Sequence, residues 1–180
     1  DTLAVFFARA TQSADDLPTA TSFKPGQRVL VLSPHPDDET LCCAGAVQAA
    51  LAAQAQPFVT WVTSGDGFEL DAVLLDRAPR PSGHQLEGLG LRRHGEALAS
   101  ARQLGVPPDQ LTFLGYPDAG LLHLFLEHYF APYTSRYTGA ARVPYPWTQS
   151  PGAPYTGESL NHDLASMLDR ARDLIRQAMN

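Results

Sequence analysis

The chain has 180 residues, 44% of them hydrophobic and 18% charged, with a formal net charge of −6. That length fits one domain with a sizeable core. The acidic balance and the lack of a basic run argue against nucleic acid and anionic membrane surfaces as partners, and no apolar stretch approaches the ~20 residues needed to cross a bilayer.

Residues 1–27 read as an N-terminal extension that packs on the surface, and residues 28–180 as one domain. The chain begins at Asp1 rather than Met, which leaves the compartment open between the cytoplasm and export after signal removal. Residues 28–33 centre on Val29-Leu30-Val31-Leu32, a continuous apolar run of the kind found in a buried parallel strand. His35-Pro36-Asp37-Asp38-Glu39 follows it. Residues 38–55 are rich in Ala, Leu and Gln and predict a helix. Cys42 and Cys43 lie on it, read as small buried residues whose adjacency disfavours a disulfide.

Phe58 to Thr63 predicts a second strand, so strand, helix and strand form a βαβ unit. Ser64-Gly65-Asp66-Gly67 ends it, and a polar loop is expected to about residue 86. Residues 88–104 suit a helix that stops at Gly105, with Pro107-Pro108 preventing its continuation. Leu111 to Leu114 is a third strand, ended by Gly115-Tyr116-Pro117-Asp118. Residues 119–157 show neither period and are rich in tyrosine and proline. A segment of that length predicts an insertion forming a lip or cover. The final segment, with Leu160, Leu164, Met167, Leu168, Ala171, Leu174, Ile175 and Ala178, has the spacing of an amphipathic helix. The fold class expected is α/β: a Rossmann-like three-layer domain with a mainly parallel sheet. A further strand should follow the last helix, so the C-terminal part is expected to be missing.

Ligands of open α/β sheets gather at the carboxyl ends of the strands. There is no G-x-G-x-x-G, no G-x-x-x-x-G-K-[ST] and no G-x-S-x-G, which leaves dinucleotide, P-loop and serine hydrolase readings unsupported. The turn after the first strand carries one imidazole and three carboxylates, the composition of a site for a borderline metal such as Zn²⁺. Pro36 and the acids would equally suit a helix start, a reading that leaves His35 unexplained. A metal-activated water with a neighbouring carboxylate as general base would hydrolyse an amide.

Ser33-Pro34-His35-Pro36-Asp37-Asp38-Glu39-Thr40 resembles the signature of the LmbE-like, or PIG-L-type, zinc-dependent de-N-acetylases. These act on N-acetylglucosamine units in lipid-linked sugars, small thiols, chitin-type oligosaccharides and antibiotics. Val62 to Gly67, Leu89-Gly90 with Arg93-x-x-Glu96, Leu104 to Val106, Leu114 to Asp118 and Tyr155 to Glu158 are similar to later segments of the family, in the same order. The resemblance implies that His35 and Asp38 ligate the metal and that Asp37 is the general base. It also implies that Arg93 and Asp118 hold substrate hydroxyls of an N-acetylated amino sugar, while Glu39 caps the helix or supports the ligands. For Arg93 a surface ion pair with Glu96 is the alternative, and Asp66 is read as closing its own turn. Zn²⁺ is the implied metal, with Fe²⁺ or Co²⁺ also suited to such ligands. A homo-oligomer is left open.

The family's third ligand is a histidine in a His-x-x-His motif after the last helix, so it is expected beyond Asn180. His84, His94, His123, His128 and His162 lie in no such motif. His94 is read as structural. Two rival readings stand beside the deacetylase: another metal-assisted hydrolase, of phosphate esters for example, and a sugar-binding fragment without turnover whose aromatic segment 129–155 stacks on sugar rings.

Overall fold

The computed structural model describes residues 22–77 and 79–178. The extension expected over residues 1–27 lies mostly outside them. Three parallel strands, β1 (Arg28–Ser33), β2 (Gln56–Thr63) and β3 (Leu111–Tyr116), form a sheet in the order β1-β2-β3. Leu30 pairs with Phe58, and Thr60 with Thr112. Helices α1 (Asp38–Leu41) and α2 (Ala44–Ala52) connect β1 to β2. Helices α3 (Glu69–Asp76) and α4 (Gly83–Leu104) connect β2 to β3, and α5 (Leu121–Leu126) and α6 (Gly157–Ala178) follow.

Successive side chains of a strand point to opposite faces, and both faces of β2 are covered. On one, Val31, Val59, Trp61 and Phe113 pack with Val47 of α2 and with Ala97 and Ala101 of α4. On the other, Leu30, Phe58, Thr60 and Thr112 line a small pocket together with Met167 of α6. The result is the three-layer α/β arrangement expected. All three strands run the same way, so their carboxyl ends, and the turns that follow them, share one edge of the sheet.

Several local expectations are corrected. The run at β1 is not buried throughout: Leu32 is 49% exposed, on the face opposite its buried neighbours Val31 and Ser33. The helix expected over 38–55 is broken at Cys42 and Cys43, where no Gly or Pro marks the interruption. Cys42 is exposed and Cys43 half-buried. The loop expected to residue 86 contains α3, whose Leu70 and Leu74 are exposed while Ala72 is buried. Such a face gives no periodic signal. Helix α4 starts at Gly83, with Ser82 and Gln85 in a reciprocal capping box, a pattern the sequence carries.

Residues 119–157, expected to be an insertion, share a core with β3 and α6. Leu124, Val143 and Tyr155 pack with Leu114 and Tyr116 of β3 and with Leu160 and Leu164 of α6.

Candidate active site

The turn after β1 is fixed to the next strand by Pro34, whose carbonyl accepts the Thr63 N–H at 3.0 Å and the Thr63 hydroxyl at 2.8 Å. His35 then lies between two carboxylates. Its Nδ1 is 3.2 Å from Asp38 Oδ2, and its Nε2 is 3.1 Å from Asp118 Oδ1. The Asp38 carboxylate also accepts the His35 backbone N–H at 3.0 Å. The Asp118 hydrogen bond and charge, helped by Asp38, raise the imidazole above its ordinary pKa despite partial burial. Burial would push Asp118 up, but its bonds from His35, Ala119 and Gly67 outweigh that and hold it below the usual carboxylate value.

Asp37 sits at the start of α1 with φ 151° and ψ −31°, a conformation that costs an L-residue roughly 1–3 kcal/mol. Its side chain is half-exposed and points back to α4. Arg93 donates to Asp37 Oδ2 at 2.7 Å and to the Pro36 carbonyl at 2.8 Å through Nη2, and to the Gly65 carbonyl at 3.1 Å through Nη1. One guanidinium thus ties the turn after β1 to the turn after β2. Arg93 is buried, so the alternative of a surface pairing with Glu96 gives way to this inward one. Gly65 makes the approach possible, since a Cβ there would collide with the guanidinium.

The turn after β3 is held by Asp66. One Asp66 oxygen accepts the Asp118 N–H at 3.3 Å, and the other accepts the Tyr145 hydroxyl at 2.8 Å. Asp66 therefore reaches out of its own turn and joins the second turn, the third turn and the insertion. Burial pushes its carboxyl up to about 6, against the opposing effect of the Tyr145 bond. Gly90 of α4 leaves room for the Tyr145 hydroxyl, which a Cβ at that position would strike. Tyr145 was missed by sequence reasoning. Glu39 is also buried, and its carboxylate turns inward to the Trp61 indole N–H at 2.8 Å.

The donors of His35 and Asp38 suit a borderline metal. Two ligands on neighbouring corners of a tetrahedral zinc are about 3.3 Å apart for bonds of ~2.0–2.1 Å. The 3.2 Å between His35 Nδ1 and Asp38 Oδ2 is compatible with that edge and is equally the length of a direct hydrogen bond. Among the described residues no group of three His, Cys, Asp or Glu side chains is placed to hold a metal. The other histidines have different partners. His94 stacks on Trp147 with centroids 3.8 Å apart and meets the Phe113 ring edge-on, and burial lowers its pKa. His123 faces Glu127, His128 faces the Ala131 carbonyl, His84 lies 4.0 Å from Glu87, and His162 is exposed.

The aromatic segment differs from a row of free stacking surfaces. Tyr145 and Tyr155 are buried, and Trp147 lies between His94 and Tyr145. Large rings contribute most when they are removed from water, and here they fasten the insertion to α4 and β3. Tyr137 lies against Gly67 of the turn after β2.

His35 thus joins Asp38 of its own turn to Asp118 of the turn after β3, while Asp37, in the same turn as His35, is held by the buried Arg93. The protein family described as GlcNAc-PI de-N-acetylase (PIG-L) matches residues 30–177. A 1D-myo-inositol 2-acetamido-2-deoxy-alpha-D-glucopyranoside deacetylase of Streptomyces griseus subsp. griseus is 37% identical over 102 residues. That alignment covers 54% of this chain and 30% of the relative. No solved structure gives a significant match. The matched span takes in most of β1, all of β2 and β3 and every turn of the site, and the chain belongs to the PIG-L family of de-N-acetylases.

Proposed function

We propose that this protein hydrolyses an N-acyl group, acetyl above all, from an amino sugar or its conjugate. The observation that carries the reading is the contact of His35 with both Asp38 and Asp118 at the carboxyl edge of the sheet, with Asp37 in the same turn held by Arg93, in a family described by de-N-acetylation. The deacetylase relative's 2-acetamido sugar supports an N-acetylglucosamine-type substrate.

In this reading His35 and Asp38 hold a divalent metal, Zn²⁺ or in its place Fe²⁺ or Co²⁺. Such an ion polarises a carbonyl and makes water a nucleophile near neutral pH. Asp37 is the general base. It takes a proton from the attacking water and returns it to the departing amine. Its half-exposed carboxylate is open to solvent on one side and held by Arg93 on the other. Arg93 fixes where that proton is received, and a sugar hydroxyl reaching the guanidinium would share it with Asp37. Asp118, largely buried and oriented by Gly67 and Ala119, offers carboxylate lone pairs to another hydroxyl.

The test is acetate release from a panel of N-acetylglucosamine conjugates by metal-loaded protein, with the free amine measured in parallel. Exhaustive chelation should stop release and added Zn²⁺ should restore it. Release that survives chelation overturns the metal mechanism.

A further inference from the structure

Glu39 is 1% exposed, although a carboxylate that merely favours the start of a helix does so from the surface. Burial of a carboxylate is costly unless its lone pairs are met, and here both oxygens are met by uncharged donors. Oε2 accepts the Trp61 indole N–H at 2.8 Å and the Asp37 backbone N–H at 3.0 Å. Oε1 accepts the Thr40 hydroxyl at 3.1 Å and the Ser100 hydroxyl at 3.0 Å. The Glu39 N–H in turn reaches the Ser33 hydroxyl at 3.1 Å. The end of β1, the middle of β2, the body of α4 and the motif turn all meet at this one side chain.

The bond to Asp37 is the informative one. Asp37 has φ 151°, and a residue persists there only when its surroundings over-determine it. Arg93 holds its side chain. Glu39 holds its N–H. Remove the second hold, and the Pro36–Asp37 peptide is free to relax to an ordinary conformation, moving the Asp37 carboxylate from its place against Arg93.

We infer that Glu39 is a positioning residue for Asp37, its buried carboxylate clamping the strained peptide that aims the base. This rests on the reading of Asp37 as general base. The clamp needs an acceptor at position 39 for the Trp61 and Asp37 N–H groups rather than a negative charge. Glu39→Gln supplies it: its amide oxygen takes both N–H groups, and its NH₂ faces the Thr40 and Ser100 hydroxyls, which rotate to accept. Glu39→Asp keeps the charge but is one methylene short of the same donors.

The experiment compares E39D, E39Q and E39M, each alone and with D37N, in metal-loaded protein acting on an N-acetylglucosamine conjugate. Exchange of the Asp37 amide proton is followed by NMR in the same proteins. E39D and E39M should lower kcat about 10²-fold, the scale of a misplaced reacting group, with KM little changed. They should also speed exchange of the Asp37 amide, while E39Q rescues both. In the D37N background the same replacements should leave kcat where D37N put it, since residues acting as a unit are not additive. An equal further loss in that background makes Glu39 independent of Asp37 and overturns the inference. So does an Asp37 amide whose exchange is the same in E39D as in the wild type, whatever the activities. A D37N protein that retains full kcat overturns the base reading instead, and amide exchange still decides the clamp. Should E39M fail to fold, E39D and E39Q carry every arm.

Discussion

The imidazole of His35 reaches Asp118, 83 positions away, through a 3.1 Å contact at Nε2, while its other nitrogen faces Asp38 three residues on. One ring therefore joins the turn after β1 to the turn after β3. Asp118 is itself placed by Asp66 and, through it, by Tyr145 of the insertion. The geometry at His35 thus depends on segments that span most of the described chain.

Replacing His35 or Asp38 with Ala should lower the bound metal measured by elemental analysis, since each removes one donor of the proposed pair. Asp118→Asn removes the charge beside His35 while keeping an acceptor oxygen, and since Asp118 is not a proposed ligand the variant should retain metal. Full metal content in both H35A and D38A would place the ion elsewhere.

Asp37→Asn keeps the size of the side chain and cannot take the proton. Its kcat should fall by ~10²–10⁴ with metal retained, the usual contribution of general acid–base catalysis. Loss of metal without loss of turnover per bound ion would exchange the roles of Asp37 and Asp38.

Arg93→Lys preserves the charge and loses the planar fork that serves three acceptors. Its single ammonium cannot meet Pro36, Asp37 and Gly65 together. The variant should lose about 1–3 kcal/mol in urea unfolding, the cost of leaving a buried acceptor unmet, and kcat should fall more than KM changes. Wild-type stability and kcat in R93K would show that the bridge between the two turns is dispensable.

Asp66 links stability to pH. Its carboxyl titrates at about 6 in the folded protein against 3.8 ordinarily, so the folded state binds the proton more tightly than the unfolded chain. The resulting stabilisation is complete below pH ~4 and is lost as pH rises through 6, on the order of 3 kcal/mol in all. Asp66→Asn removes this titration, and the Tyr145 hydroxyl can rotate to accept from the new amide. The difference in unfolding free energy between D66N and wild type should move in favour of D66N from pH 4 to pH 7.5. A difference that stays constant with pH would assign the burial cost elsewhere. Tyr145→Phe should be more harmful at pH 7.5 than at pH 4, because it withdraws a donor from the ionised carboxylate.

The sequence by itself determined what rests on local signals. Apolar runs placed the three strands, Gly105 marked the end of α4, and the periodicity of Leu160 to Ala178 placed α6. Strand–helix–strand order implied parallel pairing and hence a shared carboxyl edge, which is why the turns at His35, Gly65 and Asp118 could be named as one site. The tertiary structure alone decided what those residues touch. Arg93 turns inward to Asp37 rather than along its helix to Glu96, and Asp66 joins Asp118 to Tyr145. Glu39 is buried against Trp61 and Ser100, while Leu32 of an apolar run is left half-exposed. Each of these outcomes depends on which distant segment arrives at a given side chain. A backbone's regular form is set within a few residues, by torsional preference and hydrophobic period. Burial and hydrogen-bond partners are set across the whole chain, where a carboxylate takes whatever donor the packed core leaves within reach.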